Sequence, residues 1–122
     1  MDMLYYIYIG SNRVTIDHLS KIAGGMFMAV SSCNKAAKVI DGIRERYNTS
    51  ILYEESTPQK DSQAITFLHK RFPRVYIILI TEELKKEHRK LYLQAGVNNT
   101  LSPMASEESL QQMTKFLQLR KE

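Results

Sequence analysis

The chain has 122 residues, 43% hydrophobic and 25% charged, with 17 Lys and Arg against 13 Asp and Glu. That length suits one domain (1–122) with a core of its own, and the apolar content with a net charge of only +4 excludes wholesale disorder. The single cysteine, Cys33, excludes an internal disulfide framework and any multi-cysteine metal cluster.

No apolar run approaches the roughly 18–20 residues of a membrane span. The stretch Met3–Ile9 follows Asp2 rather than a basic segment, so it reads poorly as a cleaved signal peptide and a soluble, cytoplasmic chain is expected. The densest basic stretch, Lys85 to Lys90, is broken by Glu87 and preceded by Glu82 and Glu83, which describes a solvated helix face rather than a nucleic-acid patch. His18, His69 and His88 stand far apart, without ligand spacing.

In chain order, short apolar runs alternate with amphipathic segments. Leu4–Ile9 is a β-branched and aromatic run suited to a strand covered on both faces. Residues Asn12–Ala23 have no clear period, and the alternation alone makes them a helix. Gly24-Gly25 marks a turn before the second run, Met26–Val30. Ala36, Val39, Ile40, Ile43 and Tyr47 then follow helical spacing, with Cys33 near that helix's start. A helix dipole can lower a thiol pKa there, but no histidine or second cysteine lies nearby, so Cys33 reads as packing or surface.

Ile51–Tyr53 is the third strand. Thr57-Pro58 looks like an N-cap with proline at the first helical position, leading to Ile65, Leu68 and Phe72 on one face. Val75–Ile80 is the strongest strand, and Glu82 and Glu83 after it fall at the expected start of the next helix, where acids suit the dipole. Gly96 stops that helix. Val97–Leu101, diluted by Asn98, Asn99 and Thr100, reads as an edge strand. Ser106-Glu107-Glu108 caps a last helix carrying Leu110, Met113 and Leu117. Five strand–helix units of about 24 residues each predict a doubly wound, three-layer α/β fold with a parallel sheet. Ligands of such sheets bind at the carboxyl ends of the strands.

Those ends carry Gly10-Ser11-Asn12-Arg13, then Glu54-Glu55, then Thr81-Glu82-Glu83, then Ser102-Pro103. No G-x-G-x-x-G and no P-loop pattern is present. The order and spacing resemble the CheY-like receiver domain of two-component response regulators over essentially the whole chain. Three stretches carry the resemblance: Ile51 to Pro58, with Glu54 at the phosphoacceptor position; Ile77 to Thr81, with Thr81 at the switch Ser/Thr position; and Ala95 through Pro103, similar to the stretch leading to a Lys-Pro pair.

The resemblance implies a (βα)5 flavodoxin-like fold, a five-stranded parallel sheet of order 2-1-3-4-5, and phosphorelay signalling. It also implies what is missing. Receivers hold Mg²⁺ with an acidic pair after the first strand, where this chain has Gly10 and Ser11. The acceptor aspartate reads Glu54, and the lysine reads Ser102, or Pro103 in a one-residue shorter loop. Glu54 is either a solvated strand-end glutamate or a fixed, imperfect mimic of a phosphoryl group. Expected, then, is a degenerate receiver with no metal and no cofactor. It is expected not to be an enzyme and to signal by phosphorylation-independent contact with a sensor kinase, an output domain or itself.

The ending Leu119–Glu122 suits a last helix entering a linker, so the chain is compatible with the N-terminal part of a longer regulator that controls a transcriptional output domain, or with a stand-alone adaptor. No helix-turn-helix remains for direct nucleic-acid contact. The resemblance further implies a cis peptide at Ser102-Pro103. It also implies weak pairing through the face formed by the fourth helix, fifth strand and fifth helix, about Glu83–Lys121, whose mixed charges suit a two-fold axis. The alternative function is a flavodoxin-like small-molecule or flavin-binding protein using the turn Ser11-Asn12-Arg13-Val14-Thr15.

Overall fold

Each apolar run becomes a parallel strand and each amphipathic stretch a crossover helix. The computed structural model describes residues 3–43, 48–115 and 117. Its elements are β1 (Tyr5–Ile9), α1 (Arg13–Ile22), β2 (Met26–Val30), α2 (Cys33–Asp41), β3 (Thr49–Glu54), α3 (Pro58–Arg71), β4 (Tyr76–Ile80), α4 (Lys86–Ala95), β5 (Asn99–Leu101) and α5 (Glu107–Thr114). The five strands form one parallel sheet in the order β2-β1-β3-β4-β5, as expected of a flavodoxin-like doubly wound fold.

Side-chain alternation on the strands builds two cores. Ile7 and Ile9 of β1, Ile51 and Tyr53 of β3, and Ile77 and Leu79 of β4 pack under α2, α3 and α4, against Ala36, Ile40, Ile65, Leu68, Phe72 and Tyr92. Tyr6, Tyr8, Leu52, Ile78 and Ile80 face the other way, under Ile16 and Leu19 of α1 and Leu110 of α5. Each fully buried Leu or Ile contributes about 1.5–3 kcal/mol of transfer free energy. The alternation thereby fixes which residue of each strand reaches which layer.

Two expectations change at element ends. The helical period of α2 was expected to run to Tyr47, yet the helix stops at Asp41, where the Gly42 N–H bonds back to Val39. Ile43 still packs on the core from outside the helix, and Tyr47 lies outside the described residues. Helix α4 begins at Lys86, so Glu82 and Glu83 are not in its first turn. Leu84 is drawn onto the core and holds residues 82–85 as a loop. Both β5 and β2 are sheet edges, and β2 leaves Met26 56% and Met28 47% exposed. Among the described residues no helix is long and apolar enough to cross a membrane. The sequence-assigned end Leu119–Glu122 also lies outside the described residues.

Gly96 ends α4 as the sequence suggests, with φ +123° and its N–H bonded to Tyr92 and Leu93 carbonyls. A Cβ there would stand 2.7 Å from His69 Cγ on α3. Strain of this kind costs about 1–3 kcal/mol. Gly96→Ala should therefore lower the denaturant midpoint by an amount equivalent to that cost; an unchanged midpoint would contradict the packing of α4 on α3.

Candidate functional site at the carboxyl edge of the sheet

Strands β1, β3 and β4 end in register, with Ile9 opposite Tyr53 and Glu54 opposite Ile80. Their ends and the following loops enclose an open depression of about 410 Å³, lined among others by Tyr8, Asn12, Glu54, Glu55, Thr81 and Pro103. Glu82, Glu83 and Lys85 form its outer wall. Of the residues the sequence singles out, Glu54, Thr81 and Pro103 meet here. Gly10 and Ser11 line a neighbouring groove, and Ser102 turns outward.

Glu54 is the most constrained of them. Its carboxylate folds back onto the turn between β1 and α1. The Tyr8 hydroxyl donates to Oε1 at 2.6 Å, the Asn12 N–H to Oε1 at 2.9 Å, and the Ser11 N–H to Oε2 at 3.3 Å. The expectation of a plain solvated glutamate is therefore corrected: three donors hold it, and charge-assisted bonds of this kind are about twice as strong as neutral ones. Gly10 makes room for it. A Cβ on Gly10 would lie 2.6 Å from each of Glu54 Cβ, Cδ and Oε1. An acidic side chain at position 10 and this conformation of Glu54 exclude one another.

The adjacent Glu55 points to the other side. Buried Thr81 donates its hydroxyl to Glu55 Oε1 at 2.7 Å. Glu55 Oε2 lies 3.4 Å from the Tyr92 hydroxyl, which makes its shorter bond, 2.9 Å, to Asp61 Oδ2. Asp61, fully buried, also accepts from the Ser56 N–H at 2.8 Å. Thr81 is thereby tied through Glu55 and Tyr92 to α4, and through Asp61 to α3. Burial raises the pKa of Tyr8, Tyr53 and Tyr92 far above the usual tyrosine range. Glu54 adds to the effect at Tyr8, Asp61 at Tyr53, and Asp61 and Glu55 at Tyr92. Burial also raises the thiol pKa of half-buried Cys33, helped by Asp61, the reverse of what a helix start alone would do.

Sequence reasoning missed Tyr8, Asp61 and Tyr92, and named Asn12 and Glu55 only for their places at strand ends. A tyrosine inside an apolar strand was the available signal, since a buried hydroxyl needs a partner.

The Ser102-Pro103 peptide is trans, against the cis expectation. The Ala105 N–H bonds to the Ser102 carbonyl at 3.1 Å, and the Met104 N–H to Ser102 Oγ at 3.2 Å. These bonds place Pro103 second in a four-residue turn, where its fixed φ fits a trans bond; cis proline belongs at the third position. His18 Nε2 meets the Ala105 carbonyl at 2.6 Å and ties this turn to α1.

The residues present do not fit the Mg²⁺ that the resemblance implies. A hard cation of this kind takes one or two carboxylates with free lone pairs. Glu54 is engaged by three donors, Glu55 by Thr81 and Tyr92, and Gly10 and Ser11 offer no charged oxygen. Among the described residues no three of His, Cys, Asp and Glu group as ligands.

No family model matches the sequence, and no curated protein matches it. The fold has solved counterparts. A response regulator from Thermotoga maritima superposes with a TM-score of 0.83 at 10% identity, covering 98% of this chain and 100% of that one. A CheY-like protein (tadZ) from Pseudomonas aeruginosa gives 0.80 at 12% identity, covering 100% and 98%. A CheY-like response regulator receiver domain protein from Methanospirillum hungatei gives 0.76 at 14%, covering 97% and 96%. The chain has the fold of CheY-like receiver domains over its whole length.

Two predictions follow from this geometry. Gly10→Ala should destabilise by about 1–3 kcal/mol through overpacking. In a Glu54→Ala background, which removes Cδ and Oε1, its cost should fall by about 1 kcal/mol; strictly additive unfolding energies would contradict the contact. The raised tyrosine pKa values act at alkaline pH. The unfolded chain releases these protons near the ordinary value of about 10 while the fold retains them, so stability should fall as pH rises above that point. Tyr92→Phe should reduce this alkaline loss while costing about 1–3 kcal/mol at neutral pH, because Asp61 loses a donor. An unchanged alkaline slope would refute that assignment.

Proposed function

We propose that the chain is a receiver-like signalling module that works by protein contact and is not switched by phosphorylation. One observation carries this: the carboxylate at the phosphoacceptor position is an internal strut, bonded to Tyr8 and to the amides of residues 11 and 12. Phosphoryl transfer depends on positioned positive charge and metal around the transferred group. Neither Gly10, Ser11, Ser102 nor Pro103 supplies charge. Losing one such oriented contact typically costs 10²–10³ in rate, about 2.7–4 kcal/mol, and here several are replaced together.

The flavin alternative loses its anchor by the same observation. A ligand phosphate at the Ser11–Thr15 turn would need the amides that Glu54 already occupies. The partner we propose is a protein, whether a sensor kinase, an output domain or a second copy, and the signal is the state of the Thr81–Glu55–Tyr92 chain of hydroxyls and carboxylate. Incubation with Mg²⁺ and acetyl phosphate should leave the intact mass unchanged. A stable gain of one phosphoryl group, lost in Glu54→Ala, would overturn the proposal.

A further inference from the structure

The two edges of the sheet are treated differently by the sequence. The β5 edge is only three residues long and carries Asn99 and Thr100. The β2 edge is five residues of Met, Phe, Ala and Val, and residues 24–34 contain neither charge nor proline. Natural sheets blunt their edges with charges, proline, bulges or shortness, and β2 has none of these.

Its pairing with β1 shows which groups are open. The Met26 N–H bonds to the Leu4 carbonyl, and the Val30 carbonyl accepts from the Gly10 N–H. In a parallel strand the N–H and C=O of one residue point to the same side. Met26, Met28 and Val30 therefore turn their backbone to β1, while Phe27 and Ala29 turn theirs outward. Phe27 is anchored by its ring, 6.3 Å from that of Tyr8, and Met26 and Met28 stand exposed on the opposite face.

A second, separate feature lies at the carboxyl end of this edge. A groove of about 560 Å³ there is lined by Ser11, Arg13, Ala29, Ser31 and Lys35, and by no acidic residue. Lys35 Nζ donates to Ser31 Oγ at 3.0 Å, and Arg13 has no ion-pair partner among the described residues. Two cations and two hydroxyls thus line one groove at the carboxyl end of β2.

We infer that the β2 edge is a docking site for an extended apolar segment of a partner protein that runs parallel to β2 and ends in a carboxylate seated between Arg13 and Lys35. Main-chain bonds to Phe27 and Ala29 supply the pairing, Met26 and Met28 cover alternate side chains, and the groove sets direction. Charge complementarity selects this occupant over a second copy of the chain. Two-fold pairing of β2 with itself is antiparallel and sets each basic groove against the other copy's Gly24-Gly25 turn, around which Lys21 and Lys115 outnumber Glu108. This surface is distinct from the depression at Glu54, and the inference does not rest on the proposed function.

The test uses the isotope-labelled whole chain and the acetylated peptide Val-Thr-Val-Thr-Val-Asp with a free carboxyl terminus. Saturable binding should slow amide exchange at Phe27 and Ala29 while leaving Met26 and Met28 as they were. Amidation with Asp changed to Asn, or the double variant Arg13→Gln/Lys35→Gln, should weaken binding about tenfold, with Lys60→Gln unchanged. Ala29→Pro should abolish pairing without touching the β1 ladder, because that N–H faces outward. Absence of saturation, binding unaffected by Ala29→Pro or by the double variant, or protection at Phe27 and Ala29 that grows with protein concentration alone would each overturn the inference.

Discussion

Everything at the carboxyl edge of this sheet depends on where one carboxylate goes. Glu54 leaves the end of β3 and turns back across β1 to close on Tyr8 and on the first turn before α1. The cost of holding a charge in a half-buried place is offset by three directed donors, two of them backbone amides with no other partner in the turn. The same choice forces glycine at position 10, since its missing side chain is the space the glutamate fills. Strand end, turn and helix start are locked by this one group.

The second consequence is a division of labour between neighbours. Successive residues at a strand end point opposite ways, so Glu54 serves the β1 side and Glu55 the β4 side. Glu55 receives Thr81, Tyr92 stands between Glu55 and Asp61, and Asp61 fastens the entry to α3 through the Ser56 N–H. These side-chain bonds add to the β3–β4 ladder and to the apolar packing that already join the same elements. In the function we propose, a partner that drew Glu55 away from Thr81 would break the tie between the end of β4 and α4, and that is the route for a contact signal.

Much of the architecture was legible in the sequence because it is written in periodicity. Leu4–Ile9 and Val75–Ile80 cannot be buried except as central strands, and Ile65, Leu68 and Phe72 share a face only on a helix. Both edges of such a sheet are set by connection order. Dilution at Asn98–Thr100 pointed to one of them, whereas the apolar β2 gave no sign of being the other. The first turn of α4 was misplaced because acids after a strand suit a helix start, while burying Leu84 mattered more. The site was less legible. The direction of the Glu54 side chain depends on a hydroxyl 46 residues away and on a glycine whose role is steric. The trans bond at Pro103 depends on hydrogen bonds within the turn that no local pattern announces.

The most direct test of the account is a Mg²⁺ titration followed through the Ser11 and Asn12 amide resonances, which report on the Glu54 carboxylate. With that carboxylate committed to Tyr8 and the two amides, both resonances should stay unmoved by millimolar Mg²⁺ beyond the drift caused by an equal ionic strength of NaCl. A saturable shift of both amides, abolished by Glu54→Gln, would mean that the carboxylate is free to bind metal and that the strut is not what holds this edge together.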